Sequence, residues 1–200
     1  AALPWAMLFA LAAAFTLSQA YRTVGAILAA PLQAEFGLSP QQLGTFAGAF
    51  HFAFGTLQVF MGVGIDLHGV RRTVLTAFPL TIAGALLSAL APGYATLVLG
   101  QVLIGIGCAP AFLVCTVFVA RHFPPERFAA VSGLVMSVGG IGLLATGTPL
   151  AWLVEASSWR AAFFVLAACS AAAWALIAWR VHEPALPQAA APGRSLSSRL

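Results

Sequence analysis

The chain has 200 residues, of which 61% are hydrophobic and only 7% are charged, and its mean hydropathy is +0.97. Soluble domains carry about 25% charged residues, so this composition excludes an ordinary water-soluble domain and indicates a protein surrounded by lipid. The formal charge is +4 and all 9 basic residues are arginines, but most are dispersed among short connections, which excludes a nucleic-acid-binding surface.

Six apolar segments are long enough to cross about 30 Å of hydrocarbon as helices. The first is too long for the core of a signal peptide, so we interpret it as a true span. The segments end at proline, glycine or charged residues, which are typical helix breakers. The predicted helices are residues 4–30, 43–65, 73–91, 94–120, 128–154 and 159–179.

The ends of the chain and its prolines complete this outline. Residues 1–183 are predicted to form one transmembrane unit, and residues 184–200 a cytoplasmic tail or the beginning of a central loop. Because the chain starts without methionine and stops in that loose tail, we expect a fragment of a longer protein. Pro79, Pro110 and Pro149 lie inside predicted helices, where each removes a backbone hydrogen bond and is expected to permit a kink.

Glycines recur along two of the predicted helices. Because a glycine lets the backbone of a neighbouring helix approach closely, we expect these residues to be packing positions. They are Gly44, Gly48 and Gly55 in the second helix and Gly133, Gly139, Gly140 and Gly142 in the fifth.

The arginines are divided unequally between the two sides of the predicted bundle. Cytoplasmic loops are enriched in lysine and arginine, so the side with more arginines is expected to be cytoplasmic. The opposite loops hold only Arg160, together with Glu35 and Glu155. The arginine-rich side holds Arg71, Arg72, Arg121, Arg127, Arg180, Arg194 and Arg199. Both ends of the chain are therefore predicted to be cytoplasmic.

The sequence contains no pattern typical of a metal site or an intramembrane enzyme. Cys108, Cys115 and Cys169 lie inside apolar segments, without the spacing of a metal site. There is no HExxH motif, and His51 has no serine or cysteine partner at a defined spacing. We therefore predict no metal, no cofactor and no catalytic residue.

The connection between the second and third predicted helices carries the most specific pattern in the chain. It reads GVGIDLHGVRRTVL in residues 62–75. A glycine, an aspartate, a second glycine and a basic pair at this place resemble the signature loop of the major facilitator superfamily. Residues 119–130 and 158–164 also look like connections of that family, so the resemblance covers nearly the whole chain. The matching loop residues are Gly62, Asp66, Gly69, Arg71 and Arg72.

The resemblance implies an all-α membrane protein in which six transmembrane helices form the N-terminal half of a transporter, built from two inverted three-helix repeats. It further implies secondary transport by alternating access in a multi-pass protein of a bacterial inner membrane, with the C-terminal half of the same chain as partner. In the family this loop braces one half against the other, a role that the resemblance assigns to Asp66, Gly69 and Arg71. A basic loop that only sets topology is the alternative, and a homodimer of six-helix units also stays open.

Polar residues deep inside the predicted helices form a candidate substrate site. Arg22 and His51 each lie eight positions from the external end of a predicted helix, which corresponds to a depth of about 12 Å. An arginine at a helix centre costs about 2.5–3.5 kcal/mol to insert, so Arg22 requires a partner or a role, and an anionic substrate would supply one. The candidate site is extended by three amide side chains, Gln19, Gln58 and Gln101.

Other interpretations of these residues stay open at this point. Arg22 could form a structural hydrogen bond, and His51 could bond between helices or take part in proton coupling. All 5 acidic residues fall at helix ends or in loops, so a carboxylate relay within the membrane is not predicted. The favoured function is transport of a small anion or organic acid. Efflux of hydrophobic compounds is the alternative, and a non-transporting membrane receptor or assembly factor belongs to a different class.

Overall fold

The structure is a computed structural model that describes residues 4–182. This range contains α-helices joined by short turns and no β-strand, as predicted for an all-α protein. The predicted tail, residues 184–200, lies outside the described residues. The helices are α1 (Trp5–Phe36), α2 (Pro40–Ala89), α3 (Tyr94–Cys108), α4 (Ala111–His122), α5 (Phe128–Ala145), α6 (Thr148–Ala156) and α7 (Trp159–Arg180), with a 3-10 turn at Pro125–Arg127.

The connection between α1 and α2 is short and well defined. α1 continues through Pro31 to Phe36, past the predicted end of the first helix. It stops at Gly37, whose φ of 63° lies in the left-handed region that glycine adopts without strain. The side chain of Ser39 then accepts a hydrogen bond from the Gln42 N–H, and the Gln42 side chain accepts one from the Ser39 N–H. This capping box begins α2 immediately and makes α1 and α2 adjacent in space.

Helix α2 consists of two arms, and the chain reverses direction between them at Gly69. The backbone of Gly69 has φ 83° and ψ 168°, a combination almost confined to glycine. A Cβ added to Gly64, before the break, would lie 3.6 Å from Cγ2 of Thr73, after it. A straight helix would separate these two positions by about 13 Å. The first arm, residues 40–68, and the second arm, residues 70–89, therefore pack against each other, with Gly69 in the predicted turn.

The predicted packing glycines divide into two groups. A Cβ on Gly142 would collide with the carbonyl oxygen of Thr16, and one on Gly139 would collide with the Phe15 ring, so α5 lies directly against α1. Five other positions have no atom within 4 Å of an added Cβ, and the prediction of close packing is wrong for them within residues 4–182. These are Gly44, Gly48, Gly55, Gly133 and Gly140.

Prolines mark two of the helix interruptions. Ala109 and Pro110 separate α3 from α4, at the place where a kink was predicted. The fifth predicted helix is interrupted slightly earlier than expected, between α5 and α6 at Gly147, and Pro149 occupies the first turn of α6. Helix α2, in contrast, continues through Pro79. Proline is tolerated in the first turn of a helix because the N–H that it lacks would have no partner there.

Within residues 4–182, four stretches are long and apolar enough to cross a membrane. The 50-residue α2 counts as one of these, although it reverses at Gly69, and α1 is not among them. The helical membrane architecture is thus confirmed, whereas the count of six crossings stays a prediction. The four stretches are Pro40–Ala89, Tyr94–His122, Pro125–Ala156 and Trp159–Arg180.

Candidate functional site

Arg22 projects from α1 toward the first arm of α2. Its guanidinium carbon lies 4.5 Å from the centroid of the Phe54 ring, which is a cation–π contact. The Arg22 side chain is half-buried, and its Nε is buried without a hydrogen-bond acceptor among the described residues. Within residues 4–182, no carboxylate lies at ion-pair distance from it. Arg22 is thus held in the bundle by an aromatic ring and not by an opposite charge.

The neighbours of Arg22 fix the orientation of α1. The hydroxyl of Tyr21 lies 3.0 Å from the hydroxyl of Ser170 on α7, and the hydroxyl of Thr23 lies 2.6 Å from that of Thr146 at the end of α5. Consecutive residues of a helix point about 100° apart, so the side chains of Tyr21, Arg22 and Thr23 point toward three different helices. The contacts on either side of Arg22 therefore direct its guanidinium toward α2.

Two of the predicted amides carry buried polar atoms. The Oε1 of Gln19 is an acceptor and the Nε2 of Gln101 is a donor, and both are buried without a partner among the described residues. Gln101 is only 1% exposed, deep in α3. Buried polar groups are normally hydrogen-bonded, so such atoms mark places where a polar ligand or water can bind.

His51 and Gln58 lie on the first arm of α2, on either side of Phe54 in sequence. No hydrogen bond joins Arg22 to either side chain. His51 is exposed, and its Nδ1 lies 3.0 Å from the carbonyl oxygen of Ala47, one turn earlier. Gln58 is half-buried. The structure therefore places Arg22 beside this arm of α2 but leaves His51 on an open face, which it shares with Gly48.

The residues of the signature loop make separate contacts. Asp66 is exposed, and its Oδ1 lies 4.0 Å from a terminal nitrogen of Arg121 at the end of α4. Arg71 donates from Nη2 to the carbonyl oxygen of Ala178 on α7, at 3.1 Å. An added Cβ on Gly62 would lie 3.7 Å from a Leu113 methyl group, an ordinary contact. The loop thus connects α2 to α4 and α7 on the side predicted to be cytoplasmic.

A second cluster of contacts, not predicted from the sequence, lies on the opposite side. The Nε1 of Trp159 donates to Oε2 of Glu35 at 2.6 Å, and Arg160 contacts Oε1 of Glu35 at 2.7 Å. Arg160 also donates to the carbonyl oxygen of Ala91 at 3.3 Å. The hydrogen bond from Trp159, followed by that from Arg160, lowers the pKa of the Glu35 carboxyl. We call Glu35, Trp159, Arg160 and the Ala91 carbonyl the Glu35 cluster, which joins the ends of α1, α2 and α7.

The sequence contained one indication of this cluster. Arg160 and Glu35 are two of the three charged residues on the predicted external side, so a pairing between them was available. The contribution of Trp159 could not be predicted, because α1 and α7 are brought together only in the folded bundle. Phe54 was missed for the same reason, since the sequence does not reveal which aromatic ring meets Arg22.

Comparison with known proteins relates the chain to one large family of membrane transporters. The sequence model described as Major Facilitator Superfamily matches residues 8–199. The D-galactonate transporter of Escherichia coli is 29% identical over 80% of this chain and 37% of its own length. The hexuronate transporter of Bacillus subtilis is 28% identical over 70% of this chain and 33% of its own length.

An efflux pump of Hypomyces subiculosus also matches, with 26% identity over 92% of this chain and 32% of its own length. The chain thus spans about a third of the length of each of these relatives.

Proposed function

Because the chain belongs to the Major Facilitator Superfamily, we propose that it forms the N-terminal six-helix half of a transporter for a small anion or organic acid. As in other such transporters, the solute would bind near the middle of the membrane, between this half and a second one, and the two would rock to expose it to either side. The polar surroundings of Arg22 are the observation on which the choice of substrate depends.

The proposed half-bundle has six crossings, arranged as two inverted repeats of three. In this arrangement α1 crosses once, and each arm of α2 crosses separately because the chain reverses at Gly69. The stretches Tyr94–His122, Pro125–Ala156 and Trp159–Arg180 supply the other three. With the arginine-rich connections in the cytoplasm, both ends of the half are cytoplasmic and the Glu35 cluster is external.

Arg22 supports an anionic substrate because its charge is stabilised but not neutralised. An arginine within a membrane usually pairs with a carboxylate or lines a ligand pathway. Residues 4–182 provide the Phe54 ring and no carboxylate at ion-pair distance, so the full positive charge stays available to a ligand. The buried Gln19 and Gln101 amide atoms add a neutral acceptor and a donor, which suits a substrate with both an acidic group and hydroxyl groups.

Two of the relatives support the same class of substrate. The names of the D-galactonate and hexuronate transporters describe sugar acids, which combine one carboxylate with several hydroxyl groups. A bidentate arginine–carboxylate contact and amide–hydroxyl hydrogen bonds would recognise that combination. We therefore propose a polyhydroxy or otherwise polar monocarboxylate as the class to test first.

A paired-ligand binding experiment tests this proposal. The unfolding temperature of the purified protein is measured with a sugar acid and with the neutral sugar of the same carbon skeleton, because a ligand that binds the native state raises it. The acid is expected to stabilise the wild type most, Arg22→Lys less, because lysine keeps the charge but cannot form the bidentate contact, and Arg22→Gln not at all. Arg127→Gln, which removes an exposed arginine elsewhere in the chain, is the matched control and should respond like the wild type.

Efflux of hydrophobic compounds is the competing function, and the relationship to an efflux pump favours it. An exporter of this kind would bind lipophilic cations, which Arg22 would repel. Stabilisation by lipophilic cations that is unchanged or stronger in Arg22→Gln would therefore replace the anion proposal with this one. A protein stabilised by no solute and inactive in reconstituted vesicles would point instead to a receptor or assembly factor.

A further inference from the structure

A cavity of about 400 Å³ opens between the two arms of α2 and the neighbouring α3. It lies beside the turn at Gly69, and its lining does not include Arg22. Its lining combines four polar side chains, one of which is the buried Thr73, with three large apolar ones. The polar residues are His68, Arg72, Thr73 and Thr76, and the large apolar residues are Met61, Leu80 and Ile106.

The His68 and Arg72 side chains lie at a different depth from the large apolar lining residues. His68 and Arg72 are within three residues of Gly69, at the end of the helical hairpin. Met61 and Leu80 lie 8 and 11 residues from Gly69, which places them roughly 12 and 16 Å further along the arms. The cavity therefore has a polar mouth at the cytoplasmic end of the proposed bundle and a mainly apolar interior toward the middle of the membrane, with Thr76 at about the depth of Met61.

The two adjacent arginines of this loop have different surroundings. Arg71 donates to the Ala178 carbonyl on α7 and is part of the helix packing. Arg72 is exposed, and within residues 4–182 its side chain has no hydrogen bond or ion pair. The same is true of the exposed His68 side chain. The cavity mouth thus presents one guanidinium and one imidazole that form no hydrogen bond or ion pair with the part of the chain that the structure describes.

A ligand for this cavity must match both parts. A free inorganic anion would pair with Arg72 but would leave the apolar interior uncovered, and an apolar compound would leave the arginine unpaired. An anionic phospholipid carries a phosphate and acyl chains in the required order, and the cytoplasmic leaflet supplies such lipids at the depth of the mouth. Basic pockets between helices on this side of a membrane commonly bind anionic head groups.

We propose that this cavity is a binding site for an anionic phospholipid, with the phosphate at Arg72 and His68 and an acyl chain along Met61, Leu80 and Ile106. The site is separate from the one proposed for the transported solute and does not depend on it. It depends on the proposed orientation, in which the Gly69 turn faces the cytoplasm. A lipid bound here would fill the gap between the arms of α2 and stabilise the hairpin.

The experiment titrates the purified protein in detergent with phosphatidylglycerol, phosphatidylcholine and inorganic phosphate while the unfolding temperature is measured. Phosphatidylglycerol is expected to raise that temperature, whereas phosphatidylcholine and phosphate at equal concentration are not. One membrane-facing arginine contributes about a fivefold change in affinity, so Arg72→Gln should need about five times more phosphatidylglycerol for the same shift. Arg72→Lys, which keeps the charge, should stay close to the wild type.

Two further variants test whether phosphatidylglycerol binding depends on this cavity or only on the total charge of the protein. Arg127→Gln removes an exposed arginine outside the cavity and should titrate like the wild type. Leu80→Ser makes the interior more polar and should weaken phosphatidylglycerol binding while leaving Arg72 in place. The proposal is overturned if phosphatidylcholine is equally effective, if inorganic phosphate reproduces the shift, or if Arg72→Gln and Leu80→Ser both bind like the wild type.

Discussion

The aromatic ring of Phe54 on α2 lies 4.5 Å from the guanidinium carbon of Arg22 on α1. A ring attracts a cation through its quadrupole and has no charge of its own. The contact therefore offsets part of the cost of burying Arg22 but leaves its positive charge intact. A carboxylate in the same place would have stabilised the arginine more strongly and cancelled that charge. This difference links the packing of α1 against α2 to the proposed selectivity for anions.

We expect Phe54→Leu to weaken anion binding. The variant keeps an apolar side chain at this position but removes the cation–π contact. That contact stabilises the Arg22 guanidinium in its present position by about 0.5–2 kcal/mol. The dissociation constant for a stabilising carboxylate should rise by roughly two- to thirtyfold. The measurement is a titration of the purified protein with that carboxylate.

Phe52→Leu provides the matched control, because Phe52 is 78% exposed on the same helix. Its effect on the dissociation constant should be within a factor of two. If both variants change binding equally, the effect belongs to the helix surface as a whole and the role assigned to Phe54 is wrong.

We expect Gly142→Ala to destabilise the protein, because the added methyl group would meet the Thr16 carbonyl of α1. Backbone atoms cannot move aside as a flexible side chain can, so the helices must separate at an expected cost of about 1–3 kcal/mol. The unfolding temperature in detergent measures the effect. Gly140→Ala is the control, since among the described residues no atom of another helix lies within 4 Å of its added Cβ, and it should be neutral or slightly stabilising.

The sequence predicted those features that depend on local chemistry. Hydropathy identified helical, membrane-spanning segments, and the connection that contains Gly69 was predicted because it lies between two apolar runs. The position of Pro110 inside a predicted helix also indicated a helix interruption. Each of these depends on the residues within one or two turns of the chain, so no knowledge of the neighbouring helices was needed.

Features that depend on the pairing of distant helices were not predicted. Gly139 and Gly142 are in close contact with α1, whereas Gly140 on the same helix faces open space, and composition alone treats the three alike. The extent of α1 beyond Pro31 was also missed, because a single proline in a long apolar helix is tolerated when its neighbours accommodate the lost hydrogen bond. The side of a helix that packs inward is a property of the assembled bundle.

We expect Gly69→Ala to destabilise the hairpin of α2. Its φ of 83° and ψ of 168° are almost inaccessible to an L-residue, and a side chain there costs about 1–3 kcal/mol in strain. Gly64→Ala is the control on the same hairpin, since its added Cβ would make only an ordinary contact with Thr73. A similar unfolding temperature for the two variants would contradict a conformational requirement at Gly69.

The proposed orientation predicts which side of the membrane each connection faces. In a Cys169→Ser background, Glu155→Cys should react with a membrane-impermeant maleimide added to intact cells. Arg127→Cys should react only after the cells are permeabilised, because its loop is predicted to be cytoplasmic. The reverse pattern would invert the topology, and would place the proposed lipid site in the other leaflet.

The Glu35 cluster predicts a stability that decreases in acid. The pKa of Glu35 is lowered by the hydrogen bonds from Trp159 and Arg160, so the folded protein favours the ionised carboxylate more than the unfolded chain does. Its contribution is therefore complete above the unfolded value of about 4.3 and is lost as the pH falls through the lower folded value.

Glu35→Gln should lower the unfolding temperature at pH 7 by about 1–3 °C, the scale of a partly exposed ion pair, and should flatten its dependence on pH below 5. Glu155→Gln alters the other acidic residue on that side and should keep the wild-type pH profile. An unchanged profile in Glu35→Gln would mean that the acid sensitivity arises elsewhere, and the contacts between α1 and α7 would then be held by the packing of Trp159 and not by charge.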